Sequence, residues 1–316
     1  MHSVRVLLVA NPHARGVNRD RISASIERWS REHQVDLLLT SRHGLDEDVR
    51  AALAGTQAVA VLGGDGTLNR VANVMANAKS DATLVPLPGG TTNVVARTLG
   101  LPRALGEAHD VALRALGAGW TSRRGWGRLN GWGFLANAGV GFDAAVVKRV
   151  ESRPSLKAHL GHLWFAAAAC REAWPRPGPT ALFSEPAQSE SIEPGLDRSQ
   201  SAFWVLALAT HPYSYAGRRP LTVLPTGCRS GDGLWAVEVR PSSVLTIARL
   251  AGRMLYSSKG IATANGVQCR KVTSEVTYYS MAPASAQTDG EPMGPTCSFS
   301  FRWEPDALRL IAPTRP

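Results

Sequence analysis

Short apolar segments alternate with amphipathic segments along the first hundred or so residues of the chain. The apolar segments end at glycine or polar residues, which is typical of β-strands, and the segments between them have helical spacing. Because strands and helices alternate, the pattern predicts a parallel sheet flanked by helices. The predicted strands are Val4–Ala10, Val35–Thr40, Ala58–Leu62 and Thr83–Leu87, and the predicted helices include Arg21–Arg31, Leu45–Leu53 and Thr92–Leu99.

A further helix is predicted directly after the third strand. Leu68, Val71, Ala72 and Met75 fall at positions i, i+3, i+4 and i+7, so their side chains share one helical face. We expect this helix to start near Leu68.

The second half of the chain, beyond about Arg123, is rich in short apolar and glycine-containing segments that predict strands. One long apolar segment, His159–Trp174, predicts a helix, and residues 175–200 predict a loop. The pattern indicates an α/β domain over residues 1–122, completed by residues from about 295 to 316, and a β-rich domain over residues 123–294. Its predicted strands include Phe203–Ala209, Leu234–Val239 and Val272–Tyr279.

Composition narrows the class of protein. The 316 residues are 44% apolar and 19% charged, with a mean hydropathy of −0.10, which is typical of a folded globular protein. No apolar run approaches the roughly 20 residues of a transmembrane helix. The N-terminus has no signal-peptide pattern, and the four cysteines form no CxxC pair, so we expect a cytoplasmic protein without a zinc site or disulfide framework.

The formal net charge of +10 favours an anionic partner such as a nucleotide or an acidic membrane surface. All but five of the 35 basic residues are arginines, and they are spread along the whole chain, so a compositional bias explains them equally well. There is no basic-aromatic motif typical of nucleic-acid binding, and nucleic acid is not an expected partner.

Two glycine-rich segments each follow a predicted strand and open a predicted helix. Gly63–Thr67 and Gly89–Asn93 should emerge at the same edge of the parallel sheet, where open α/β folds bind ligands. Backbone N–H groups of such turns bind phosphate, and Asp65 suggests a nucleotide that carries Mg²⁺. A tight strand-to-helix connection without a ligand remains the alternative for each segment.

The motifs resemble those of the bacterial diacylglycerol kinase catalytic-domain family, which is related to sphingosine and ceramide kinases. GGDGTLN at 63–69 and GGTTN at 89–93 resemble its two glycine motifs, although Val94 stands where the family usually has Asp. Gln287–Pro292 resembles its DGE segment, and Arg229–Leu234 resembles its Mg²⁺-binding segment. The resemblance implies an α/β nucleotide-binding domain like that of NAD kinases and diacylglycerol kinases, followed by a β-sandwich domain.

The resemblance also implies roles for individual residues. Glu291 would be the general base, and Asp65 would organise Mg²⁺. Asp232 would bind a metal through its carboxylate, and Arg229 and Leu234 through their carbonyl groups. The residues implied to contact ATP are Asn11, Thr40, Gly63, Gly64, Asp65, Gly66, Thr67, Asn69, Gly90, Thr91 and Asn93.

The resemblance therefore implies an ATP- and Mg²⁺-dependent lipid kinase that contacts the inner membrane surface peripherally and reversibly. A kinase of a soluble substrate, similar to NAD kinase, is the nearest alternative, because the GGDGT motif also occurs in such enzymes. A lipid-binding protein that has lost catalysis is a second alternative, suggested by Val94. The sequence leaves open the identity of the lipid and whether the chain forms a homodimer.

Overall fold

A computed structural model of the chain describes residues 3–41, 44–152, 171, 182–184, 202–225, 233–240 and 244–314. The chain divides into two compact units. Unit 1 comprises Met1–Trp126 and Pro305–Pro316, and unit 2 comprises Gly127–Glu304.

Unit 1 is a parallel sheet whose strands are connected by helices. The strands pair in the order β2-β1-β3-β4, and residues 309 and 310 of the last strand of the chain add a further parallel strand beside β4. Every residue of β3 and β4 is buried, as expected for central strands covered on both faces. The elements are β1 (Arg5–Ala10), α1 (Arg19–Ser30), β2 (Gln34–Leu39), α2 (Leu45–Ala52), β3 (Ala58–Gly63), α3 (Asp65–Asn77), β4 (Thr83–Pro88), α4 (Val94–Thr98) and α5 (Leu105–Gly117).

Helices α1 and α5 share a buried polar contact centred on His109. The indole N–H of Trp29 donates to His109 Nδ1 at 2.7 Å, and Ser25 Oγ lies 3.0 Å from His109 Nε2. The ring is therefore assigned as neutral, with its proton on Nε2. Burial, with a smaller contribution from the Arg28 charge, lowers the pKa of His109 from 6.5 to about 4.

We predict from this shift that the protein loses stability in mild acid. The unfolded chain takes up a proton at His109 below its pKa of 6.5, whereas the folded chain does so only near pH 4, so the contribution of a neutral His109 is complete above pH 6.5 and is lost as the pH falls toward 4. The free energy of unfolding should decrease by about 1.4 kcal/mol per pH unit in this range for this one group.

Urea unfolding at a series of pH values measures the effect. In the variant His109→Gln the slope should be smaller but not zero, because burial also lowers the pKa of His211 to about 4. The same slope in the variant and the parent protein would contradict the assignment to His109.

Unit 2 consists mainly of antiparallel strands. The strands β13, β12, β9, β7 and β14 pair in that order, and β14 also pairs with β8 and β15. The described elements are β5 (Thr121–Leu129, beginning in unit 1), β6 (Trp132–Phe134), β7 (Asn137–Gly141), α6 (Phe142–Glu151), β8 (Leu182–Ser184), β9 (Trp204–Leu208), β10 (Ser214–Ala216), β11 (Arg219–Leu221), β12 (Leu234–Val239), α7 (Val244–Tyr256), β13 (Val267–Val272), β14 (Glu275–Thr288) and β15 (Glu291–Ile311, ending in unit 1).

The strand β14 is irregular in its middle, where its register with β15 shifts between Tyr279 and Ala286. Tyr278 on β14 donates a hydrogen bond to Glu238 Oε1 on β12 at 2.6 Å, although β12 lies three strands away from β14 in the sheet order. One apolar core contains side chains of both layers, including Val205, Ala236 and Phe301. Two layers that pack on one core form the predicted β-sandwich.

Several details differ from the sequence-based predictions. The helix after the third strand starts at Asp65 rather than near Leu68, because Asp65, Gly66 and Thr67 form its first turn. Helices α6 and α7 were not predicted, since their apolar faces were interpreted as part of a β-rich half. Most of the predicted helix 159–174 and of the predicted loop 175–200 lies outside the described residues. Among the described residues, no helix combines the length and apolar character needed to cross a membrane.

Candidate functional site

Three loops of unit 1 contact each other at the carboxyl ends of the parallel strands. They are joined by backbone hydrogen bonds. The Asn11 N–H donates to the Leu62 carbonyl at 2.9 Å. The N–H of Gly89 donates to the Gly63 carbonyl, and the N–H of Gly16 donates to the Gly89 carbonyl, both at 2.9 Å. The predicted glycine motifs are therefore adjacent in the structure, together with the loop that follows β1.

The two glycine segments approach each other so closely that side chains do not fit. A Cβ atom on Gly90 would lie 2.6 Å from the Cα of Gly64, and one on Gly89 would lie 2.8 Å from the backbone N of Gly63. Real Cβ atoms essentially never come within 3.0 Å of such atoms. Glycine at these positions is required by the direct contact of two backbones.

Helix α3 begins at this contact. Gly64 is its N-cap residue with extended backbone angles, and the first intrahelical bond runs from Leu68 N–H to the Gly64 carbonyl at 3.0 Å. The N–H groups of Asp65, Gly66 and Thr67 precede this bond, and the helix dipole adds a partial positive charge at the same end. The first turn of α3 therefore has the geometry of an anion-binding site.

Asn93 fixes the second glycine segment. It adopts a left-handed backbone conformation with φ of 50° as the N-cap of α4. The Gly90 N–H donates to Asn93 Oδ1 at 2.8 Å, and Asn93 Nδ2 donates to the Gly90 carbonyl at 2.9 Å. Thr91, which lies between these two residues, is exposed, whereas Val94, which follows Asn93, is buried. The position that differs from the family motif is thus part of the apolar interior.

Side-chain hydrogen bonds connect the loops further. Asn11 Nδ2 donates to Thr67 Oγ1 at 2.8 Å, which joins the loop after β1 to the first turn of α3. Asp65 Oδ1 accepts a long hydrogen bond of 3.4 Å from the Val95 N–H in α4. Asn11 and Asp65 therefore hold this part of the site together.

Two other residues that were predicted to contact ATP lie in buried surroundings. The Thr40 N–H donates to the Ala10 carbonyl at 2.9 Å, and its side chain is buried at the end of β2. Asn69 is buried within α3, where its Oδ1 accepts a hydrogen bond from Asn73 Nδ2 at 3.1 Å. Their contact with a nucleotide stays a prediction.

The DGE segment of unit 2 forms the tight turn between β14 and β15. Thr288 pairs with Glu291 across the hairpin, and Asp289 and Gly290 both have positive φ angles, of 48° and 85°. Two such residues define a two-residue hairpin turn for which Asp-Gly is strongly preferred. Glu291 is the first residue of β15 and is exposed.

Asp289 holds this turn in place through its carboxylate. Its Oδ2 accepts a hydrogen bond from the Leu135 N–H at 2.8 Å, and its Oδ1 accepts from the N–H groups of Ala136 and Asn137 at 2.8 and 2.9 Å. Three successive backbone donors around one carboxylate form an anion-binding nest. Asp289 therefore fixes the position from which β15 starts, although only its neighbour Glu291 was predicted to have a role.

A buried polar network lies beside this turn. Gln287 Oε1 accepts from the Gly290 N–H at 2.8 Å, and Gln287 Nε2 donates to Asp143 Oδ2 at 2.7 Å. Tyr213 donates to the other oxygen of Asp143 at 2.6 Å. Gly139 provides space for the network, because a Cβ atom there would lie 2.1 Å from Asp143 Oδ2.

Burial changes the titration of this network. It raises the pKa of Asp143, and the hydrogen bonds from Tyr213 and Gln287 oppose part of this increase. Burial and the Asp143 charge raise the pKa of Tyr213 well above its ordinary value. Asp143 is the second residue of α6, where a helix N-terminus favours a negative charge. Asp143 was not predicted, and its only trace in the sequence is an Asp that closely follows the glycine-containing apolar segment at 137–141.

The predicted metal ligands are only partly described. Arg229 and Asp232 lie outside the described residues, and Leu234 is the first residue of β12, with a fully buried side chain. Within the described ranges, no group of three or more His, Cys, Asp or Glu side chains is arranged to hold a metal ion. The predicted ligands are not such a cluster of side chains. They are one carboxylate and two backbone carbonyl groups, which are oxygen donors suited to Mg²⁺.

The fold of this chain is similar to that of diacylglycerol kinases of known structure. The fold of a diacylglycerol kinase from Bacillus anthracis superimposes with a TM-score of 0.74 over 98% of this chain and 96% of that protein, at 20% sequence identity. A second structure, a putative diacylglycerol kinase from the same organism, gives 0.73. The predicted fold class, an α/β domain followed by a strand-rich domain, is confirmed.

Sequence similarity covers the α/β part of the chain. Residues 5–120 match the family model of the diacylglycerol kinase catalytic domain, which confirms the predicted resemblance. A probable lipid kinase of the YegS-like type from Pseudomonas syringae is 34% identical over 108 residues, which are 33% of this chain and 35% of that protein. A Bacillus subtilis diacylglycerol kinase is 47% identical over 53 residues, 17% of this chain and 18% of that protein. These matches thus span about a third or less of the relatives' length.

Proposed function

We propose that this protein transfers the γ-phosphoryl group of ATP to a hydroxyl group of diacylglycerol or a related lipid alcohol. The observation that carries the proposal is the direct backbone contact between the two glycine segments at the first turn of α3. This contact supports phosphate binding, and the match of residues 5–120 to diacylglycerol kinase catalytic domains supports a lipid acceptor.

In this proposal the α/β domain, residues 1–122 with residues from about 295 to 316, binds Mg²⁺-ATP. The N–H groups at the start of α3 and of the second glycine segment, Gly89–Asn93, would contact phosphate oxygens. Asp65 would help position the Mg²⁺ that the nucleotide carries. Phosphoryl transfer needs positioning and charge neutralisation more than covalent chemistry, so backbone donors and a carboxylate suffice for this part.

Glu291 acts as the general base. Its carboxylate accepts the proton of the lipid hydroxyl while the oxygen of that hydroxyl bonds to the γ-phosphorus. The bond between the γ-phosphorus and the bridging oxygen breaks, and ADP leaves. The hydrogen bonds of Asp289 and Gln287 fix the turn that precedes Glu291. A fixed position is what a general base needs, so these contacts favour the role proposed for Glu291.

A second Mg²⁺ would be held by the carboxylate of Asp232 and the carbonyl groups of Arg229 and Leu234. Such an ion would fix the backbone that leads into β12 and supply positive charge there. These ligands are proposed on their donor chemistry, which fits a hard cation.

The β-rich domain, residues 123–294, would bind the lipid, and the protein would contact the membrane surface peripherally during turnover. The activity would place the protein in lipid metabolism, with a phosphorylated lipid as its product. Each turnover then consumes one ATP and leaves ADP.

We predict that Gly90→Ala weakens ATP binding. The added Cβ would contact the Cα of Gly64 at 2.6 Å, so the two segments must separate and the phosphate donors move. Overpacking of this kind costs about 1–3 kcal/mol, and if that cost falls on the nucleotide-bound state the ATP affinity decreases by roughly 5- to 150-fold. Titration calorimetry with ATP measures the loss.

Gly106→Ala is the matched control for this variant. Gly106 lies in α5 with open space around its Cα, so the added methyl group should leave ATP affinity unchanged. An unchanged affinity in Gly90→Ala would show that the contact between the glycine segments does not organise the nucleotide site.

The proposed activity is tested by incubating the protein with γ-labelled ATP, Mg²⁺ and a panel of acceptors. The panel contains diacylglycerol, a sphingoid base, ceramide, NAD and fructose 6-phosphate. We expect label in a lipid product. Label in NAD or the sugar phosphate alone would identify a kinase of a soluble substrate, and label in no product would refute the kinase assignment.

A further inference from the structure

Most of the net positive charge of the chain comes from one stretch of unit 2, which has few acidic residues. Between Ala202 and Ser274 the sequence has nine Lys and Arg residues against two acidic ones, Asp232 and Glu238, so this stretch supplies +7 of the formal net charge of +10. Glu238 is already engaged, because it accepts the Tyr278 hydroxyl hydrogen bond at 2.6 Å and lies 3.2 Å from a guanidinium nitrogen of Arg270. The share of Lys and Arg in this stretch is close to that of the whole chain, so the even spread of arginines holds, and the excess charge comes from the small number of acidic residues.

Helix α7 exposes an apolar and cationic face within this stretch. Its other face packs in the core through Leu250 and Met254. On the exposed side, Leu245 is 58% and Tyr256 is 76% exposed. Arg249, which is also exposed, lies four residues after Leu245 and seven before Tyr256, so the three side chains share one face.

The hairpin of β10 and β11 continues this face. It is attached to α7 by the hydrogen bond from the Thr222 N–H to the Met254 carbonyl at 2.8 Å. The guanidinium carbon of Arg219 lies 5.2 Å from the centre of the Tyr256 ring, within cation–π range. The α7–hairpin surface is defined here by its exposed residues Arg218, Arg219, Leu245, Arg249, Tyr256 and Lys259.

The chemistry of this surface fits a bilayer that contains anionic lipids. Its cations can contact lipid phosphates, and no acidic side chain among the described residues of 202–274 opposes them apart from the engaged Glu238. A leucine and a tyrosine on the same face match the side chains that enter the membrane interface. A nucleic-acid site would instead need aromatic platforms along a groove.

We propose that the α7–hairpin surface docks the protein on an anionic membrane, with Leu245 and Tyr256 entering the interface. The choice of a membrane as the partner rests on the proposed lipid kinase function. The location of the contact rests on the exposure and charge of these side chains, and nothing in the phosphoryl-transfer chemistry depends on them.

Sedimentation with phosphatidylcholine vesicles, with and without phosphatidylglycerol, tests the proposal on the full chain. We expect binding to the anionic vesicles and loss of most binding near 1 M salt, where the Debye length is about 3 Å. The apolar variant Leu245→Ser/Tyr256→Ser and the charge variant Arg218→Gln/Arg249→Gln/Lys259→Gln should each bind roughly tenfold more weakly, by loss of interfacial apolar contact and of lipid attraction respectively.

Two variants of unit 1 serve as matched controls. Leu37→Ser/Leu39→Ser removes exposed apolar side chains of β2, and Arg19→Gln/Arg50→Gln/Arg103→Gln removes three exposed cations. Both should bind vesicles as the parent protein does. Equal binding by the surface variants, or equal losses in the controls, would overturn the proposal.

Other partners would give different results. If the parent protein sediments as a dimer and Leu245→Ser/Tyr256→Ser as a monomer, the surface is an interface between copies of this chain and the proposal is wrong. Binding to duplex DNA that the charge variant loses, without vesicle binding, would also overturn it. Lipid phosphorylation in detergent micelles tests the catalytic function separately, so the two proposals can fail independently.

Discussion

Replacing Glu291 by glutamine is expected to abolish most lipid phosphorylation while ATP binding stays intact. The amide has nearly the same shape as the carboxylate but cannot accept the proton of the attacking hydroxyl group. Loss of a general base typically lowers the rate by about 10²- to 10⁴-fold. Because the predicted ATP contacts lie in unit 1 and Glu291 in unit 2, the ATP dissociation constant should stay within about twofold of the parent value, and the effect should be confined to kcat.

The matched control is Glu275→Gln, at the other end of the same hairpin. Glu275 is an exposed carboxylate of β14 that accepts a hydrogen bond from Ser300, and its replacement should leave turnover near the parent rate. Steady-state kinetics with a lipid acceptor, together with ATP titration calorimetry, measure both variants. Turnover in Glu291→Gln at the parent rate would contradict the assignment of the base.

Asp289→Ala should be the most destabilising change at the candidate site. The three backbone N–H groups of residues 135–137 lose their shared acceptor, and alanine also tolerates the φ of 48° poorly. Hydrogen bonds to a charged group contribute about 1.5–3 kcal/mol each and are not additive, so we expect a loss of roughly 3–5 kcal/mol in the stability of unit 2. Turnover should fall as well, since Glu291 follows the released turn.

Amide hydrogen exchange at Leu135, Ala136 and Asn137 measures this effect directly, because protection should be lost there first. Asp306→Ala is the matched control. Asp306 also has a positive φ, of 51°, but its exposed side chain makes no such hydrogen bonds within the described residues. Asp289→Asn keeps one acceptor oxygen and tolerates the backbone of the turn, so its loss of amide protection should lie between those of Asp289→Ala and Asp306→Ala. Unchanged protection in Asp289→Ala would show that the nest does not hold the turn.

The α/β fold was predictable because its pattern is local. The strands of unit 1 are short apolar segments, and the face containing Leu68 and Met75 is buried as the spacing predicts. Unit 2 was less predictable, since its layers depend on long-range packing. Helix α7 places Leu250 and Met254 in a core shared with strands that are distant in sequence. Ile247, Leu250, Ala251 and Met254 have helical spacing, but the segment was included in the β-rich half and its helix was not predicted.

Some residues of the candidate site were also predictable from the sequence, and others were not. The glycine motifs were recognisable because glycine and strand-to-helix order are visible in sequence, although the sequence could not show that Gly64 and Gly90 touch. Asp143 was missed because it is a single polar residue in an apolar context. Gln287 was noted only as part of the DGE segment, because its contact with Asp143 joins positions 144 residues apart. Only the folded chain shows that such buried polar residues form hydrogen bonds with one another.

The central claim is tested most directly by measuring which phosphoryl group of ATP reaches the lipid. The protein is incubated with diacylglycerol, Mg²⁺ and ATP labelled at either the γ- or the α-phosphorus, and the lipid is then extracted and counted. Label should enter the lipid from γ-labelled ATP only, with a yield that falls by about 10²- to 10⁴-fold in Glu291→Gln. Lipid label from neither nucleotide, or equal label with Glu291→Gln, would contradict the proposed mechanism.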